Sequence, residues 1–154
     1  MPRTTKPIQN AETSVERLSN TVFPHGARGL DVDFITHTDE GWIVFEYLRC
    51  VTVPAVESHP CRYWFRNWRK FCQLWSMAQQ LDARFILVNY EEPAEGVFGF
   101  FRVMEVDMQQ EPSQQQSVST TDLIPDGTLE DFVAFAQQLD QQATLANGGC
   151  ESSN

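Results

Sequence analysis

Apolar residues recur along the chain with two different periods. In LDVDFITH (residues 30–37) and GWIVFEYLRC (41–50), β-branched and aromatic residues crowd short runs joined by TDEG, whose Asp, Glu and Gly suit a tight connection. These segments predict a β-hairpin. In RYWFRNWRKFCQLWSMAQQLD (62–82), Trp64, Trp68, Phe71, Trp75 and Ala78 fall three and four apart, which predicts a long amphipathic helix after a two-proline loop over 51–60. ARFILVNY (83–90) predicts a buried strand, EEPAEG a turn, VFGFFRVMEVDM (97–108) a further strand and QQEPSQQQSVSTT (109–121) a polar loop. Val15 and Leu18 predict a short first helix over 12–20, broken by the Pro and Gly residues after it. Near the other end, Thr128 can cap a helix carrying Leu129, Phe132, Phe135 and Leu139 on one face. The order helix, hairpin, long helix, strand, strand, helix implies an α/β protein with a mixed central β-sheet flanked by helices. We expect one domain over 12–146, a flexible N-terminus over 1–11 and a disordered tail over 147–154.

Composition agrees with a packed domain. The chain has 154 residues, 42% of them hydrophobic, with eleven Phe and four Trp, so the core should be rich in aromatic rings. No apolar run approaches the roughly 18 residues of a membrane span, and MPRTTKPIQN lacks the apolar stretch of a secretory signal. The expectation is a cytoplasmic protein with no membrane partner. Cys50, Cys61, Cys72 and Cys150 form no CxxC pair and read as reduced thiols; with His59 they match no common zinc module. The net charge of −10 argues against strong nonspecific binding to DNA. Yet Arg62, Arg66, Arg69 and Lys70 fall within nine residues, with Trp64 and Trp68 between them, and could form a local basic surface.

The hairpin carries the candidate chemistry. Alternation puts Asp31, Asp33, Ile35 and His37 on one face of the first strand and Trp42, Val44, Glu46 and Leu48 on one face of the second. Asp33 and Glu46 can therefore meet across the pair. Two carboxylates in an otherwise apolar sheet are costly unless compensated, and Mg²⁺ is the usual oxygen-ligated partner for such a pair.

Asp33 on one strand and Glu46-Tyr47-Leu48 on the next, followed by an aromatic and cationic stretch, resemble the PD-(D/E)XK phosphodiesterases. The likeness is nearest to small proteins of the Holliday-junction-resolvase type and of phage or other mobile elements, and covers about residues 12–108. It implies a restriction-endonuclease-like core and Mg²⁺, with Mn²⁺ as substitute, held by Asp33 and Glu46 and supported by Glu16 in the preceding helix. Cleavage of DNA and pairing of two copies into a homodimer would follow. The chain departs from the pattern where the family's Lys falls on Leu48. Some members supply that cation from another element, and Lys70, or Arg66 one turn before it, is the candidate here. Arg49 lies next to Leu48 but points to the opposite strand face, so it could substitute only through a bulge. Arg49, Arg66, Arg69 and Gln73 make up the expected nucleic-acid-binding set.

Two readings stand side by side: a metal-dependent nuclease with a relocated cation, and a catalytically inactive module that binds nucleic acid or a protein partner through residues 62–81. A third takes the acidic charge as a decoy surface that occupies a DNA-binding protein.

Overall fold

The computed structural model describes residues 30–147, with side chains described as far as Leu139. The expected first helix with Glu16, the N-terminal segment 1–11 and the tail beyond Asn147 lie outside the described residues. The chain divides into two compact units between Asp31 and Val32, and every element below belongs to the second.

Five strands form one sheet in the order β1-β2-β3-β4-β5: β1 Phe34–Thr38, β2 Gly41–Arg49, β3 Arg84–Tyr90, β4 Phe101–Val106 and β5 Thr120–Gly127. Helix α1 (Trp64–Gln80) connects β2 to β3, which run parallel; the other three pairings are antiparallel. Helix α2 (Leu129–Asn147) follows β5. The mixed sheet with flanking helices is therefore the expected α/β arrangement. Between β1 and β2 the chain turns at Asp39 and Glu40 into Gly41, whose φ of 111° is open to glycine and strained for other residues. Helix α1 stops without a glycine: Asp82 takes a φ of 50° and the Ala83 N–H reaches back to the Ala78 carbonyl.

Alternation along the strands builds two cores. Ile43 and Phe45 of β2, Ile86 and Val88 of β3, and Phe101 and Val103 of β4 face α2, which contributes Phe132, Phe135 and Leu139. Thr128 caps that helix as expected: its N–H and hydroxyl donate to Asp131 Oδ2, and its Oγ receives the Asp131 N–H. The opposite face carries Val44, Phe85, Leu87 and Met104 and receives the underside of α1 with Phe71, Leu74, Trp75 and Ala78. Trp64 and Trp75 are core residues, and Trp64 satisfies its indole N–H on the Ser113 carbonyl at 2.7 Å. That bond ties the polar Gln- and Ser-rich segment to the helix.

Two expectations need correction. Residues 97–100 are not part of β4, which begins at Phe101. The chain after the polar loop forms an additional strand, β5, with sequence TTDLIPDG. Its Pro125 and two aspartates suppress the usual strand signal, and they are tolerated because β5 is an edge.

The loop from β2 to α1 contains two short 3-10 turns, Ala55–Glu57 and Pro60–Arg62. It is tied to the sheet at several points. Asn89 Nδ2 donates to the Ser58 carbonyl at 3.0 Å, Arg102 donates to the carbonyls of Ser58 and Val56, and Glu91 accepts the Ala55 N–H at 2.8 Å.

Phe71 is 1% exposed and Phe65, on the same helix, 72%. Phe71→Ala should cost about 3–4 kcal/mol, by opening a cavity between α1 and the sheet, and Phe65→Ala less than about 0.5 kcal/mol. Urea denaturation of the two variants checks this, and equal losses would mean that α1 does not pack as described.

Candidate functional site

The hairpin register sets the site. Phe34 pairs with Phe45 and Ile35 with Val44, so Asp33 stands opposite Glu46 at the end of the ladder. Asp33 lies just before β1, and its Oδ2 accepts the Tyr47 N–H at 2.8 Å, supplying the acceptor that a further β1 residue would otherwise provide. Its side chain thus terminates the pairing and brings a second carboxylate to Glu46.

Glu46 is 2% exposed. One oxygen, Oε1, lies 2.5 Å from Lys70 Nζ, while Oε2 is buried without a hydrogen-bond partner among the described residues. Burial pushes the Glu46 carboxyl up to about 7. The Lys70 ammonium opposes that rise through its hydrogen bond and charge, and the neighbouring Asp33 carboxylate adds to it. A proton on Oε2 below neutral pH, or a bound cation, would satisfy this atom.

Lys70 arrives from α1, where Tyr63, Asn67, Lys70 and Leu74 follow one another at helical spacing. Leu48 shares the strand face of Glu46, so Lys70 meets Glu46 on the side of the sheet that also carries Leu48. The other cationic candidates are directed elsewhere. The β2–β3 ladder runs without a break from Ile43 to Arg49, so no bulge turns Arg49 toward Glu46; its Nη2 donates to the Glu92 carbonyl at 2.8 Å. Arg66 and Arg69 lie on the exposed side of α1, with guanidinium carbons 5.2 Å from the Phe65 ring centroid and 5.4 Å from that of Trp68. Gln73 is also exposed. His37 packs edge-on against Trp42 and is four residues along β1 from Asp33, roughly 13 Å in an extended strand.

Compared with family models, curated proteins and solved structures, the chain matches none.

A cleft of about 420 Å³ opens at the carboxyl end of β2, lined in part by Leu48, Arg49, Cys50, Arg62, Tyr63 and Asn67. This is where open α/β sheets characteristically take ligands. Beneath it, the Tyr63 hydroxyl and Asn89 Oδ1 are buried without hydrogen-bond partners of good geometry, yet close enough to act on each other, and burial raises the Tyr63 phenol well above its ordinary range. Tyr63, Asn67 and Asn89 are not among the residues expected from the sequence pattern. Asn89 carries a visible signal, as the polar residue inside the apolar run FILV-N-Y, and Tyr63 and Asn67 precede Lys70 by two turns and one turn.

The donor set suits a hard cation. Asp33 and Glu46 offer oxygens only, and Mg²⁺ commonly uses one or two carboxylates and completes its shell with water and substrate phosphate. Among the described residues no group of three or more His, Cys, Asp or Glu side chains converges, and Glu16 is outside them. His59 is engaged by Thr120 Oγ1 at 2.9 Å and by the Cys61 N–H.

The raised Glu46 pKa has a defined sign. In metal-free protein its contribution to stability is fully present below about 4.5 and is lost as pH rises through about 7. Between pH 5 and 8 in EDTA, wild type should lose up to about 3 kcal/mol relative to Glu46→Gln, which cannot titrate. Lys70→Ala should cost about 2 kcal/mol at pH 8 and far less at pH 5. Urea titrations across this range test both, and parallel profiles for all three proteins would remove the buried ion pair from the account.

Proposed function

We propose that Asp33, Glu46 and Lys70 form the centre of a Mg²⁺-dependent phosphodiesterase of the PD-(D/E)XK kind, acting on DNA as an endonuclease or junction resolvase. Its cation comes from α1 instead of the strand position held by Leu48. The observation that carries this reading is the placement of Lys70 Nζ on the buried Glu46, directly beside the cross-strand Asp33. The hairpin, crossover helix and parallel strand support this reading.

In this reading Asp33 and Glu46 Oε2 hold the ion, with Mn²⁺ able to replace it. Held by these two carboxylates, the ion would supply Lewis acidity toward a phosphoryl oxygen and water. Lys70 stays hydrogen-bonded to Glu46 Oε1, so its charge is fixed at the site before substrate arrives, and it stabilises negative charge that develops on phosphate. The burial of Glu46 keeps water from its carboxylate, which strengthens its contact with Lys70.

The second reading is a module on the same scaffold that binds nucleic acid or protein without catalysis. Leu48 and the net charge of −10 favour it. Under this reading the Glu46–Lys70 pair only compensates a buried carboxylate.

Calorimetric titration with Mg²⁺ and Mn²⁺, paired with cleavage assays on single-stranded, duplex and branched DNA, separates the two. We expect metal binding and cleavage in wild type, loss of both in Asp33→Ala and Glu46→Ala, and a cleavage loss of about 10²-fold in Lys70→Ala with metal still bound. Returning the amine to the strand, as Leu48→Lys in the Lys70→Ala background, should recover part of that loss. Wild-type protein that binds neither ion would leave the binding module.

A further inference from the structure

The segment between Glu57 and Asp82 contains no acidic residue, in a chain with 21 Asp and Glu. It carries Arg62, Arg66, Arg69 and Lys70. Elsewhere among the described residues each cationic side chain has a carboxylate partner: Arg49 with Glu92, Arg84 with Glu105 and Glu40, and Arg102 with Asp122. Lys70 is taken by Glu46. Arg62, Arg66 and Arg69 form no ion pair among the described residues, and all three are exposed. Their arrangement suits an anion from outside.

The residues also line up. Positions 62, 65, 66 and 69 are three and four apart, which places Arg62, Phe65, Arg66 and Arg69 on one stripe of α1 and its lead-in turn, roughly 10 Å long. Phe65 leaves 72% of its surface in water although it sits between the arginines, and Arg66 lies over its ring. Arg69 lies in the same way over Trp68. Guanidinium groups alone would serve any polyanion. An exposed ring among them favours a polyanion that presents flat apolar faces, and a nucleic-acid strand with unpaired bases does so while a duplex keeps its bases stacked inside. Arg62 belongs both to this stripe and to the cleft that contains Leu48, the residue next but one to Glu46.

We infer that the outer stripe of α1, formed by Arg62, Phe65, Arg66 and Arg69, is a track for single-stranded nucleic acid that leads an unpaired strand into the cleft beside Glu46. The inference deepens the proposed function by naming an unpaired strand as the substrate class, and it rests on that reading for the direction of the track. The strand's phosphates neutralise the arginines, and one base stacks on Phe65. Selection for single strands comes from the ring, while the charges set affinity and its dependence on salt.

Fluorescence anisotropy of a labelled oligothymidylate and of a blunt duplex of equal length, in EDTA so that nothing is cleaved, tests the track with the full chain. The strand should bind more tightly than the duplex. Phe65→Ala should weaken strand binding about tenfold and leave duplex binding nearly unchanged. Arg66→Ala with Arg69→Ala should weaken strand binding and lower the slope of log affinity against log salt by about 1.4, because two phosphates then keep their counterions. Unchanged melting temperature in each variant shows that the fold is intact. Equal affinity for strand and duplex, or no effect of Phe65→Ala, would overturn the track. Displacement by poly-glutamate as efficient as by unlabelled strand would overturn it in favour of an acidic protein segment. Strand binding without cleavage by wild type in Mg²⁺ would remove the phosphodiesterase reading and leave the track; cleavage with no preference for strands would do the reverse.

Discussion

The burial of the Glu46 carboxylate beneath α1 is the constraint around which the rest of the structure is arranged. Removing a carboxylate from water costs several kcal/mol unless an opposite charge meets it. Here the compensating ammonium descends from the helix above, whose apolar side sets the roll and leaves Lys70 at its border within reach of Glu46. With Lys70 turned inward, Phe71, Leu74, Trp75 and Ala78 are directed into the sheet, and Arg62, Phe65, Arg66 and Arg69 are directed outward. One helix orientation thus serves the packing of the core, the charge at the candidate centre and the character of the outer surface. Asp33 completes it by ending the hairpin at the same level.

Much of this is legible in the chain alone. The interruption of WIVFEYL by Glu46 marks a charge inside an apolar strand, and alternation in a hairpin puts Asp33 opposite it. Naming Lys70 needs only helical periodicity, since the apolar residues of α1 define its buried side and Lys70 borders it. Periodicity is less informative about rank among cations: Arg66 stands one turn from Lys70 and looks equivalent, until the helix roll places it outside. Strand β5 is not legible, because an edge strand answers to one neighbour and tolerates a Pro and aspartates that a central strand would reject. The buried Asn89 and the half-buried Tyr63 escape for another reason. Their positions matter through a loop that folds back over the strand ends, a long-range contact without a local period.

Charge is distributed against the overall balance. Salt at cellular strength screens the field of the −10 net charge beyond about 8 Å, so the overall charge says little about contacts at close range. At closer range the local segment governs, and from residue 58 to residue 81 the only formal charges are positive. The outer side of α1 is thus a short basic face on an acidic chain.

The loop between β2 and α1 bears on how any ligand is met. Its carbonyls at Val56 and Ser58 are held by Arg102 and Asn89, and its Ala55 N–H by Glu91. A segment fastened to two strands in this way is not a closing flap. The wall of the cleft is built when the protein folds, so little conformational entropy remains to be lost on complex formation. Encounter at this end of the sheet should approach the docking of preformed surfaces, and the lifetime of the complex, more than its rate of formation, will register a change in the residues that line it.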